Sequence, residues 1–199
     1  MTHSAFVFKV ASEPSEFEQI HRLNYQTFVE EIPQHPPSPS RSLVDKFHAE
    51  NTYVIAVGPH GLAAMVAVRD QRPFSLDAKI EQLDAYLPPH RALVEVRLLA
   101  IARQHRHGRV LGGLLLALDE LCLRRGYDLA VMSGAVRQLK LYRSLRWVPF
   151  GPRVGTPQAP YQPMYLSLSN YQQLKHDLRL FRAAARPGNL FAGPAGNGA

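Results

Sequence analysis

Nine residues, LVEVRLLAI at positions 93–101, constrain this chain most. Apolar side chains fill both alternating sets of the run, so a strand formed here has two faces that must leave water. Such a strand belongs in the middle of a sheet, covered on either side. Its flanks agree. Upstream, TYVIAVGPHGLAAMVAVRD reads as two strands turning at GPHG, a hairpin. Downstream, Leu111, Leu114, Leu115, Leu118 and Cys122 keep helical spacing over 110–125, and Gly126 supplies a stop.

The remaining segments fit around that strand. AFVFKV (5–10) reads as a first strand and SEFEQIHRLNYQTFVEEI as a helix, with Ser15 and Glu18 at capping-box spacing after Pro14. PQHPPSPSRS (33–42) has four prolines and three serines and is a loop. LDAKIEQLDAYL is expected to form a short helix ended by Pro88 and Pro89. DLAVMSG reads as a second buried strand, RQLKLYRSL as a helix and PMYLSL as a last strand. The fold class is therefore mixed α/β (α+β). The expected organisation is one domain over 1–168, an amphipathic C-terminal helix over 169–185 and a flexible Gly/Pro/Ala tail over 186–199.

Composition bounds the function. At 199 residues, 46% hydrophobic and 20% charged, the chain has material for one proper core. It lacks the run of about 18 apolar residues that a membrane span needs. Its start lacks the basic and apolar regions of a signal peptide, so a cytoplasmic location is expected. Cys122 is the one cysteine, which excludes an internal disulfide and a cysteine metal cluster. The net charge of +7 asks for an acidic partner: nucleic acid, a phosphorylated cofactor, an anionic membrane or an acidic protein.

The charge concentrates where the strand ends. IARQHRHGRV (101–110) holds Arg103, His105, Arg106, His107 and Arg109 around Gly108, between strand and helix. Backbone N–H groups of such a turn and the positive end of the helix converge on one spot that suits phosphate. The Gly-Lys-Ser/Thr and G-x-G-x-x-G phosphate motifs are both missing. His105 and His107 lack acidic or cysteine companions, so no metal is expected. A solvated basic turn is the plain alternative.

Residues 95–150 resemble the GNAT superfamily of N-acyltransferases. Ile101, Arg106, Leu114 and Leu115 match the family's V-x-P-E-x-R-G-x-G-x-G segment and the leucine pair after it, while His107, Arg109 and Leu111 stand where that register has glycine. The resemblance implies a mostly antiparallel sheet splayed between strands 93–101 and 128–133. It implies acyl-coenzyme A or acetyl-coenzyme A as co-substrate, or the phosphopantetheine of an acidic acyl carrier protein, and no metal. Leu99, Ala100, Ile101, Arg106, His107, Gly108, Arg109, Val110 and Leu111 would then hold the thioester, the Leu99 N–H meeting its carbonyl.

Glu95 falls where part of the superfamily has its general base. A carboxylate on an apolar strand suits that task, and an ion pair with Arg97 on the same face is the alternative. LKLYRSLRWVPFG resembles LYxxxGFxxxG, which makes Tyr142 the general acid toward the leaving thiolate, or else a core aromatic. RLNYQTFVEE, DKFHAENTYVIAV and GLAAMVAVRD resemble the acyl-homoserine-lactone and long-chain N-acyl amino acid synthases within that superfamily. That likeness implies substrate contacts at Arg22, Phe28, Asp45, Arg69 and Arg97, and a small amine acceptor such as an amino acid. Arg22 or Arg69 would pair its carboxylate. Two other readings stay open: a degenerate domain that binds thioester without turnover, and a basic nucleic-acid-binding protein, although no nucleic-acid motif is visible. Monomer and homodimer are equally compatible with the sequence.

Overall fold

The computed structural model describes residues 6–106 and 108–177. The strands are β1 (Val7–Val10), β2 (Thr52–Gly58), β3 (Gly61–Arg69), β4 (Leu93–Ile101), β5 (Leu129–Ala135), β6 (Val148–Pro149), β7 (Val154–Gly155) and β8 (Pro160–Ser167). They form one sheet in the order β1-β2-β3-β4-β5-β8-β6, with β7 also on β8. Neighbours run antiparallel except β4 and β5, which are parallel. This is the mixed, mostly antiparallel sheet that the sequence implies.

Period-two alternation builds the two layers. Tyr53, Ile55, Met65 and Ala67 face α1 (Pro14–Tyr25), where Ile20 and Leu23 cover them. Val54, Ala56, Ala64, Val66 and Val68 face the other way, onto Val110, Leu114, Ala117 and Leu121 of α2 (Arg109–Arg124). Gly113 lets α2 come close to the sheet, because a Cβ there would sit 2.1 Å from the Phe8 ring. Gly126 ends the helix with φ of 73°, a backbone angle that glycine adopts without strain. Two shorter helices complete the fold, α3 (Leu139–Ser144) and α4 (Leu168–Asp177).

Three expectations need correction. The α1 capping box lies two residues earlier than the Ser15–Glu18 spacing suggests. Pro14 takes the first helical position, where its missing N–H costs nothing, so Glu13 becomes the cap and Glu16 closes the box. The helix then loosens into a π-turn over Gln26–Glu31. LDAKIEQLDAYL forms turns and only a short 3₁₀ segment, Leu83–Tyr86. Phe74, Leu76, Ile80 and Leu83 there pack as a third cluster against Val131 and Phe150, and tertiary burial overrides the helical pattern. Residues 178–199, with the end of the expected C-terminal helix and the tail, lie outside the described residues. Among the described residues no helix is long and apolar enough to cross a membrane.

Candidate active site

The site follows from one irregular residue in β4. Leu98 has φ of 54°, in the left-handed region that costs a non-glycine residue about 1–2 kcal/mol. Met65 pairs with Ala100 and Ala67 with Arg97, so Val66 opposes two residues, Leu98 and Leu99. That is a β-bulge, and it bends the strand. On its other edge β4 pairs with β5 only at Leu93, Val94 and Glu95. Past Glu95 the two central strands part. An extended ligand entering this opening meets the backbone edge of residues 96–101, Leu99 to Ile101 included, as an added strand would.

One face of the opening carries a buried ionic network. Glu95 is 0% exposed. Its carboxylate accepts from the Ser75 N–H at 2.8 Å, the Leu76 N–H at 3.2 Å and the Ser75 hydroxyl, and Arg97 Nε lies 3.4 Å away. Arg97 in turn grips Asp45 with both terminal nitrogens, at 2.8 and 3.1 Å. Burial acts to raise the Asp45 pKa, but the hydrogen bonds and charge of Arg97, with the Phe47 N–H and the Asn51 amide, outweigh it and hold it below the ordinary value. Arg69 is 3% exposed and spans Glu50 at 2.9 Å and the Pro73 carbonyl at 3.1 Å. The Phe47 ring takes both guanidinium groups, Arg69 at 4.0 Å and Arg97 at 4.8 Å from its centroid.

The structure therefore brings Asp45 and Arg69, distant in sequence, to Glu95 and Arg97 on β4. Arg69, expected to pair the acceptor's carboxylate, donates its Nε to the Pro73 carbonyl and its Nη1 to Glu50. Arg22 is not part of the network. Its side chain is 67% exposed on α1, with Glu18 3.8 Å away. Phe28, on the π-turn, packs against the second core cluster. Direct contact between Glu95 and a bound amine is also closed off, because four donors already surround its two oxygens.

The basic segment ends at a helix N-terminus. Gly108 caps α2 with φ of 85° and no side-chain cap, and its carbonyl accepts the first helical bond, from the Gly112 N–H. The N–H groups of Arg109, Val110 and Leu111 precede that bond and have no partner within the helix. Arg106 and Arg103 are committed elsewhere. Arg106 donates to the Ile101 carbonyl and pairs with Glu31 at 2.7 Å, and Arg103 lies 3.4 Å from the same carboxylate. The expected full charges of both are thus partly neutralised by the π-turn. His107 lies outside the described residues.

Tyr142 stands on the opposite face. Its ring lies against Gly134, where a Cβ would come within 2.9 Å of two ring carbons. Burial pushes its pKa up, with the Ala135 N–H and the Arg137 charge pulling the other way. Because that N–H occupies the oxygen as an acceptor, the hydroxyl proton stays available to donate. On the same side a cavity of about 90 Å³ lies between α2, the paired ends of β4 and β5, and α4. Val94, Val96, Leu118, Cys122, Trp147 and Leu174 are among its walls. Burial, with help from Asp119, pushes the Cys122 thiol up to about 12, so it is an apolar wall and a poor nucleophile.

Sequence reading missed several groups here. Phe47 and Ser75, which the network uses, are not singled out by any candidate-residue reading of the sequence. Among the described residues no group of three or more His, Cys, Asp or Glu side chains is placed to hold a metal.

Comparison with known proteins shows what the chain and its fold resemble. Residues 23–116 match the family model of the GNAT acetyltransferase domain. The fold is similar to that of BjaI, a CoA-dependent acyl-homoserine lactone synthase, at 17% identity, TM-score 0.71 and 94% coverage of both chains. It is similar to the AHL synthase LasI at 15% identity and TM-score 0.70, covering 94% of this chain and 99% of that one. It is similar to FeeM, an N-acyl amino acid synthase from uncultured soil microbes, at 12% identity and TM-score 0.67, covering 86% and 96%. No curated protein sequence matches the chain.

Proposed function

From the premise that this chain carries a GNAT acetyltransferase domain on the GNAT fold, we propose that it is an N-acyltransferase moving an acyl group from an acyl thioester to a primary amine. The parting of β4 and β5 beyond Glu95 carries this reading. A pantetheine arm is an extended chain of amides, and it enters the opening as a short extra strand. Its pyrophosphate meets the uncapped N-terminus of α2, with Arg109 beside it. The thioester carbonyl then lies at the bulge, where the Leu99 N–H stabilises the oxyanion that forms. The acyl chain turns under Val96 and Val94 into the apolar cavity.

The chemistry needs two proton movements. The attacking amine loses a proton to Glu95 through the Ser75 hydroxyl or an intervening water, since the carboxylate itself is covered. The tetrahedral intermediate then expels the thiolate, and Tyr142 returns a proton to the sulfur. The covalent changes are one C–N bond formed and one C–S bond broken. Acyl-coenzyme A and acyl carrier protein present the same arm, and an acidic carrier would meet the positive net charge.

Thiol release from octanoyl-coenzyme A with an amine panel tests the proposal. Tyr142→Phe is expected to lower kcat about 100-fold, within the range for loss of a general acid. Its thioester KM should change less than about threefold, because the lost interaction forms in the transition state. Equal turnover of variant and parent across pH would remove Tyr142 from the acid role.

A further inference from the structure

Away from the opening, two histidines on different elements touch. His21 on α1 and His48 on the loop before β2 meet edge to face, with ring centroids 4.6 Å apart. Both are half-buried. His21 Nδ1 is buried without a hydrogen-bond partner, so a proton placed there would have nothing to receive it. His48 Nδ1 lies 3.2 Å from the Tyr53 hydroxyl, which already accepts from the Asn51 amide at 3.1 Å. The Tyr53 proton therefore fills the bond to His48, and burial keeps it on the oxygen by pushing the Tyr53 pKa up. Both rings turn a bare Nδ1 inward, which is the arrangement of a neutral pair.

The charges around the pair are engaged elsewhere. On α1, Glu18 and Arg22 flank His21 and lie 3.8 Å from each other in solvent. Phe17, also on α1, presents an apolar ring to His48 at 5.4 Å. On the loop, Asp45 is held by Arg97 of β4 at 2.8 and 3.1 Å, and Glu50 by Arg69 of β3 at 2.9 Å. Lys46 sits over the Phe47 ring. From β2 the facing group is Tyr53. Protons on both histidines would set two cations in ring contact. Burial and the charge of His48 both hold the His21 pKa below its ordinary 6.5.

The pair fastens the loop that carries Asp45. The Ser38 N–H donates to the Tyr25 hydroxyl, the Leu43 N–H to the His21 carbonyl and the Asn24 amide to the Leu43 carbonyl, so the loop is tied to α1 before Asp45. Asp45 and Phe47 then reach across to Arg97 and Arg69, and His48 returns the chain to α1. We propose that His21 and His48 form a pH-sensitive clasp: as a neutral pair they hold residues 43–51 on α1 and Asp45 on Arg97, and on protonation they part and release the loop. The clasp does not depend on the N-acyltransferase reading, because it concerns how the loop is attached and not the reaction. With the folded His21 pKa below the ordinary value, the clasp's contribution is complete above 6.5 and is lost as pH falls through the folded pKa. Loss of the Asp45 contribution begins only near 3.8, so the two are separable by pH.

Amide hydrogen exchange of the full chain from about pH 7.5 to about pH 4.5, corrected for intrinsic exchange, tests the clasp. The Leu43 and Asn51 N–H groups are hydrogen-bonded in the closed loop. Their protection is expected to fall at least about tenfold over that range, the order of effect that a buried N–H without an acceptor implies. Ile55 and Met65, fully buried in the sheet, should keep theirs. His21→Phe keeps an aromatic ring in the contact and takes up no proton. His48→Gln leaves a group for Tyr53 to bond and takes up none either. Each variant should hold the loop's protection constant across the range. Equal parental protection at both ends, or a fall shared by Ile55 and Met65, overturns the clasp. A pH dependence that survives in either variant overturns it too. Should one variant fail to fold, the parent and the other variant still decide.

Discussion

At the scale of single residues, buried charge sets the geometry. Arg97 lies between Asp45 and Glu95, and both carboxylates are filled by further donors. Replacing Asp45 by alanine removes half of the counter-charge from a guanidinium whose side chain is 10% exposed. Breaking a buried pair this way is expected to cost about 3 kcal/mol in chemical denaturation. The pH dependence follows from the same pair. The folded Asp45 pKa lies below its ordinary 3.8, so the stabilisation is complete above that value and is lost as pH falls through the folded pKa. Asp45→Asn should therefore flatten the acid limb of the parent's stability curve, and an unchanged limb would assign that limb to other carboxylates. Sequence could place Glu95 and Arg97 on one face, because period two does that. It could not place Asp45 beside them, since pairing across 52 residues depends on how the loop before β2 folds back.

At the scale of elements, glycine and the bulge decide where backbone donors point. Among the described residues of the basic segment, Gly108 alone has a positive φ, at 85°. Gly108→Val places a β-branched side chain at φ of 85° and is expected to cost about 1–2 kcal/mol of stability. It should also weaken coenzyme A binding, read by calorimetry. The central strand, the helix after it and its stop at Gly126 were legible from apolar spacing. The bulge at Leu98 was not, because nothing in LVEVRLLAI marks a left-handed leucine. The loop over 76–87 reads as a helix because its apolar residues keep helical spacing while serving a different purpose, the cover of Val131 and Phe150.

At the scale of the whole molecule, the sheet separates two tasks. The α1 side carries the ionic network, and the α2 side carries the apolar cavity and Tyr142. On the proposed function the thioester would pass between them, where β4 and β5 part. Cys122→Trp fills the cavity from its wall and should therefore shorten the preferred donor. Octanoyl-coenzyme A turnover is expected to fall at least about tenfold with acetyl-coenzyme A turnover unchanged, since each methylene that loses its apolar seat forfeits about 0.8 kcal/mol. Equal loss for both donors would place the acyl chain elsewhere.

The most direct measurement is a crystal structure with octanoyl-coenzyme A bound. The pantetheine arm is expected along residues 96–101, its pyrophosphate at the N-terminus of α2, and the thioester oxygen about 2.7–3.2 Å from the Leu99 nitrogen. Coenzyme A bound away from the β4–β5 opening, or an opening that stays empty at saturating ligand, would contradict the account.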